Sequence, residues 1–66
     1  MLSKELRKAR LATGLTQEEL AAKANVSREY VNYLERGKRQ PTVMVFIRLC
    51  KAMGVHAPDF LARVMK

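Results

Sequence analysis

Left-handed punctuation limits what this chain can fold into. Apolar stretches at helical spacing are cut short at Gly14, Asn25, Gly37 and Gly54, and glycine and asparagine are the residues that enter positive φ at least cost. Matching start signals stand between the stops. T-Q-E-E from Thr16 has the form of a capping box, in which the Thr16 hydroxyl takes the Glu19 N–H and the Glu19 side chain reaches back. Ser27 and Thr42 are single N-caps, Pro41 pushes Gln40 out of the helical region, and Pro58 fits a first helical turn. The spacing predicts helices over about 2–13, 17–24, 28–36, from Thr42 to Gly54, and a short fifth one containing Phe60, Leu61 and Val64. No segment reads as a strand. Without a repeat, linker or low-complexity tract, residues 1–66 are expected to form one domain whose five helices share a core. That core is predicted from Leu6, Leu15, Leu20, Val26, Val31, Leu34, Val43, Phe46, Ile47, Cys50, Met53 and Phe60.

Composition narrows the function. A chain of 66 residues buries only about 60% of the surface it exposes unfolded. Thirteen Lys and Arg against six Asp and Glu give it +7, which favours a polyanionic partner. The single cysteine, Cys50, supports neither an internal disulfide nor a multi-cysteine metal site, and it reads as a small buried filler. No apolar run reaches the roughly 18 residues that span a bilayer, and M-L-S-K-E-L-R-K lacks the apolar core of a signal peptide. The lone histidine, His56, stands beside no nucleophile, and no glycine loop is built to hold phosphate. The expectation is a cytoplasmic protein that is not an enzyme and uses no cofactor, metal or small-molecule ligand.

The segment from Thr16 to Gly37 joins a capped helix, a short turn at Asn25 and a second capped helix with a polar outer face. This is the order of a helix-turn-helix. With L-T-Q-E-E-L-A-A-K-A, N-V-S-R-E-Y-V-N-Y-L-E-R-G-K-R-Q-P-T and A-M-G-V in sequence, the chain resembles the helix-turn-helix family of lambdoid phage repressors and Cro proteins. The resemblance covers nearly its whole length. It implies an all-α, five-helix, lambda-repressor-like DNA-binding domain, bacterial or phage-encoded and nucleoid-associated. The third helix would lie in the major groove.

By position, the resemblance implies that Gln17, at a helix N-terminus, contacts a DNA phosphate. It further implies that Arg28, Glu29, Asn32 and Tyr33 face the bases, and that Arg10 and Glu35 form a partly buried ion pair. A phosphate contact stays open as a second role for Arg10. The residues themselves agree, because positions 28, 29, 32, 33 and 36 lie opposite Val31 and Leu34. The Arg28 fork matches guanine O6 and N7, and Asn32 matches adenine. Glu29 suits cytosine N4 or an orienting role toward Arg28, and Tyr33 a thymine methyl or a phosphate. Tyr30 packs at the core edge or reaches a phosphate with its hydroxyl. Arg36, Lys38 and Arg39 cluster where the helix would leave the groove and suit backbone neutralisation; a purely solubilising charged face is the alternative.

Ala9 stands where the family has larger aliphatics, and Leu11, Met44 and Val45 stand where it has polar residues. The excess apolar surface reads as wide core coverage or as a subunit contact. Pairing in this family through the fourth and fifth helices makes Val55, Pro58, Leu61 and Met65 the candidates for a homodimer on a near-palindromic operator. The competing function is a protein-interaction module of the same fold, such as an antitoxin that binds a toxin.

Overall fold

One C-terminal device recurs at four helix ends. The computed structural model describes residues 2–65, with α1 Leu2–Ala12, α2 Gln17–Ala24, α3 Arg28–Glu35, α4 Val43–Met53 and α5 Ala57–Val64. No strand occurs among the described residues. After each of the first four helices the chain turns through a left-handed residue: Gly14, Asn25 (φ 59°), Gly37 or Gly54. The next residue donates its N–H five residues back, from Leu15 to Arg10 (3.3 Å), Val26 to Ala21 (2.9 Å), Lys38 to Tyr33 (2.8 Å) and Val55 to Cys50 (3.0 Å). These bonds satisfy carbonyls that the helix leaves open, and an apolar residue in the donating position folds back onto the core. Leu15, Val26 and Val55 do so. Lys38 is exposed instead.

The helix starts follow the sequence closely. Both halves of the Thr16–Glu19 capping box are present, with Glu19 N–H donating to Thr16 Oγ1 at 3.0 Å and Thr16 N–H to Glu19 Oε1 at 2.9 Å. Ser27 Oγ accepts from Tyr30 N–H (3.0 Å) and Thr42 Oγ1 from Val45 N–H (3.2 Å). Pro58 lies in the first turn of α5, where its missing N–H costs nothing. One cap was invisible in the sequence: Arg48 Nε, from α4, donates to the open Ala24 carbonyl of α2 at 3.1 Å.

The helices close around Leu6, Leu20, Val31, Leu34, Leu49 and Phe60, each fully buried, with Ala21, Ala24, Cys50 and Met53 beside them. α3 packs on α1 and α2, while α4 bridges α2 and α5. Phe46 and Phe60 meet with ring centroids 5.7 Å apart, joining the last two helices.

The predicted core needs correction on α4. Val43 (75% exposed) and Ile47 (37%) lie outside it, and Leu49 (1%) lies inside. Each helical residue turns the face by about 100°, so an inward arc centred on Phe46, Leu49 and Met53 turns Val43 and Ile47 toward solvent. Val45, read as outward, is half-buried against the same core, and Leu15, Val26 and Phe46 are partly rather than fully buried. Leu11 and Met44 are exposed, as read.

Two measurements check this packing. Leu49→Ala should cost about 2–5 kcal/mol in urea unfolding, as deletion of a buried leucine side chain does, whereas Val43→Ala should stay within about 0.5 kcal/mol. Burial pushes the Cys50 thiol up from its ordinary value. A thiol-specific disulfide reagent should therefore leave the native chain unmodified and label one thiol per chain in denaturant. Because the unfolded chain ionises first, stability should fall as pH climbs past the ordinary thiol range.

Candidate nucleic-acid interface

The two central helices are held at their relative angle by short local geometry. Asn25 in the left-handed region turns the chain, Val26 anchors the turn in the core, and Ser27 starts α3. Val31 and Leu34 fasten the inner side of α3. The residues between them must then face outward. Arg28, Glu29, Tyr33 and Arg36 are exposed and Asn32 is half-buried. Lys38 and Arg39 continue the basic surface beyond the end of α3, both exposed.

Tyr30 is set apart from these. Its ring packs partly against the core, and the Arg39 guanidinium lies over it at 5.8 Å from the centroid. Such a contact contributes about 0.5–1 kcal/mol at an exposed site and holds the arginine near the helix end.

Behind the outer face lies an ion pair. Arg10 Nε donates to Glu35 Oε2 at 2.6 Å and Arg10 Nη2 to Glu35 Oε1 at 3.0 Å. The two side chains keep only 10% and 3% of their exposure. Nη1 of the same guanidinium donates to the Leu15 carbonyl at 2.9 Å, so one cation ties α1, the turn after it and α3 together. A carboxylate taken out of water needs hydrogen-bond donors on both of its oxygens. Glu35 has both from Arg10 and a third donor in Gln17 Nε2, at 3.1 Å to Oε1. Gln17 Oε1 in turn accepts from Asn32 Nδ2 at 3.4 Å. Among the described residues no buried side-chain polar atom lacks a partner.

Arg7, Arg10, Gln17, Asn32, Glu35 and Arg36 line one open depression where α1, α2 and α3 meet. Arg7 was not among the candidates read from sequence. Its only signal was its place one helical turn before Arg10. Gln17, read as a phosphate ligand, has both amide atoms engaged inside the protein. A second depression beside it is bordered by Thr16, Gln17 and Arg28 at the start of α2.

The four residues read as a pairing surface are divided. Leu61 (45% exposed), Met65 (75%) and Pro58 face outward on or beside α5. Val55 is half-buried against its own core as the residue that locks the end of α4. His56 sits 3.3 Å from Asp59, with both side chains largely exposed; a pair so open to water contributes little.

A helix-turn-helix family model matches residues 6–60. The chain is 50% identical over 42 residues to the HTH-type transcriptional regulator y4dJ of Sinorhizobium fredii, a match that spans 64% of this chain and 54% of that one. It therefore accounts for about half the length of that relative. Among solved structures, the restriction-modification controller protein C.AhdI from Aeromonas hydrophila is similar with a TM-score of 0.86 and 32% identity over 89% of either chain. The wild-type restriction-modification controller protein C.Esp1396I gives a TM-score of 0.88 at 33% identity, over 97% of this chain and 84% of that one.

The buried pair makes its own prediction. Glu35→Ala should cost about 3–5 kcal/mol in denaturant unfolding, because it leaves the Arg10 guanidinium desolvated and alone. Arg10→Met combined with Glu35→Leu should recover much of that stability. If the losses of the single variants Arg10→Met and Glu35→Leu simply add up in the double variant, the two side chains do not act as a pair.

Proposed function

We propose that this chain, which belongs to the helix-turn-helix family, is a DNA-binding transcriptional regulator that reads double-stranded DNA with the outer face of α3. The observation that carries the reading is the division of that helix. Val31 and Leu34 are buried, while Arg28, Glu29 and Tyr33 stand free at its start and middle and Arg36, Lys38 and Arg39 follow at its end. A helix laid in the major groove meets base edges with its leading residues and phosphates with the cations at its margins.

In this reading Arg28 takes a guanine through its two-pronged guanidinium, and Asn32 takes an adenine. Glu29 accepts from a cytosine or orients Arg28, and Tyr33 packs on a thymine methyl. Arg36, Lys38 and Arg39 neutralise phosphates, with the Tyr30 hydroxyl at the same margin. Gln17, at the first position of α2, donates to a phosphate with the second N–H of its amide, which its bond to Glu35 leaves unused.

One such helix covers only a few base pairs, so two copies are needed for a site of useful length. Pairing through Leu61, Met65 and Pro58, with Val55 at the edge, would set two copies of α3 about 34 Å apart on a near-palindromic operator. Exposed apolar side chains on α5 support that placement. Regulation then follows from occupancy of the operator. The similarity to restriction-modification controllers supports a control protein of that kind.

Selection of bound duplexes from a random library, with wild type and Arg28→Ala, tests the reading. The expected result is an inverted repeat that loses one guanine preference per half-site in the variant, equivalent to about 1–3 kcal/mol. Lys38→Ala should weaken all sequences alike and lower the slope of log affinity against log salt by about one for each phosphate no longer neutralised. Binding without any enriched motif would leave charge alone as the driving force and favour the protein-interaction alternative.

A further inference from the structure

The basic surface does not stop at the end of α3. Ser3 Oγ, at the start of α1, lies 3.7 Å from the place a Cβ would take on Gly37, so the first turn of α1 lies against the turn that leads to Lys38. From there Lys4, Arg7, Lys8 and Leu11 recur at i, i+3, i+4 and i+7, one stripe along the helix. All four are exposed. Lys4, Arg7 and Lys8 border an open depression, and its wall at Arg7 and Glu35 is shared with the depression that holds Asn32 and Arg36. At the far end of the stripe Leu11 borders the depression beside Gln17 and Arg28. The stripe is therefore continuous with the outer face of α3 at both of its ends.

Its charges have no internal use. Glu5 and Glu35 are the acidic residues around the same depression, and they are turned to Arg63 of α5, at 3.9 Å, and to Arg10. None of the ion pairs among the described residues involves Lys4, Arg7 or Lys8. Cations one helical turn apart repel, so their arrangement works against the stability of α1. A helix rises about 1.5 Å per residue, which sets Lys4 and Leu11 about 10 Å apart along the axis. One DNA strand covers that distance with about three phosphates, spaced about 3.4 Å along the duplex.

We propose that Lys4, Arg7 and Lys8 form a second phosphate-contacting element, which holds the backbone of the same duplex beyond the base pairs covered by α3. The inference rests on the reading of α3 as the DNA-contacting helix. It enlarges the footprint of one copy without adding a base preference, because phosphate contacts carry no sequence information. Affinity then depends on how much DNA flanks the operator, whatever the sequence of the flanks.

The test titrates wild type, Lys4→Gln/Arg7→Gln and a charge-matched control, Lys23→Gln/Lys51→Gln, at several salt concentrations with two duplexes. One duplex is the selected operator trimmed to its half-sites. The other carries about ten further base pairs, one helical turn, on each side. Lys23 and Lys51 are exposed and border a different depression, between α2 and α4. Thermal unfolding followed by circular dichroism checks that each variant is folded, and the α1 variant should melt no lower than wild type, since it removes a repelling pair.

The expected result is that wild type binds the longer duplex more tightly, with a slope of log affinity against log salt steeper by about one for each added phosphate. The α1 variant loses that advantage, the control keeps it, and all three select the same motif. Equal affinity and slope of wild type on the two duplexes would overturn the inference. An equal loss in the α1 variant and the control would do so too, since overall charge would then account for the effect. A loss in the α1 variant that is the same on both duplexes would place its contacts inside the half-site, and an altered motif would make them base contacts; either result overturns the extension. A wild type that selects no motif at all defeats the DNA-reading premise itself, and that outcome is visible before any variant is compared.

Discussion

A guanidinium has hydrogen-bond donors and no acceptor, and in this fold that of Arg10 is almost wholly removed from water. Everything near it is arranged to make that burial tolerable. Two of its bonds go to one carboxylate and a third to the carbonyl of Leu15, in the turn after α1. Glu35 then takes a third donor, Gln17, from the first position of α2. Three helices are thus brought to one point by directional bonds, above an apolar core whose attraction has no direction of its own. The gain is one of geometry more than of net stability, since a buried pair roughly offsets its own desolvation.

What the sequence makes legible is local. The caps at Thr16, Ser27 and Thr42 and the left-handed turns at Gly14, Asn25 and Gly54 are decided within a few residues, and all six stand at the positions their residue types predict. The five-helix order follows from them. The inward face of α4 was not legible because Val43, Met44, Val45, Phe46 and Ile47 form an almost unbroken apolar run. Several rotations of such a helix bury a comparable amount of hydrocarbon, and only docking against α2 and α5 selects one. Leu49, beside Arg48, gave no separate sign of being central.

The interface shows the same division between local and distant information. That Arg28, Glu29 and Tyr33 point away from the core follows from helical spacing, and they are exposed. That Asn32 is leashed to Gln17 depends on contacts across 15 residues of sequence, and on an ion pair across 25. Arg48 as the cap of α2, 24 residues from its acceptor, belongs to the same class. Periodicity tells which way a residue faces but not what it meets there.

Four helices end in the same hydrogen-bonded turn, yet only three of the locking residues are apolar. Leu15, Val26 and Val55 each peg a turn into the core, whereas the corresponding place after α3 holds Lys38. The backbone of that turn is as well bonded as the others, so its shape survives without the peg. Its side chain is released from packing duty. The chain leaving α3 is therefore a braced but unanchored strut, able to carry charge outward from the molecule while the helix behind it stays fixed.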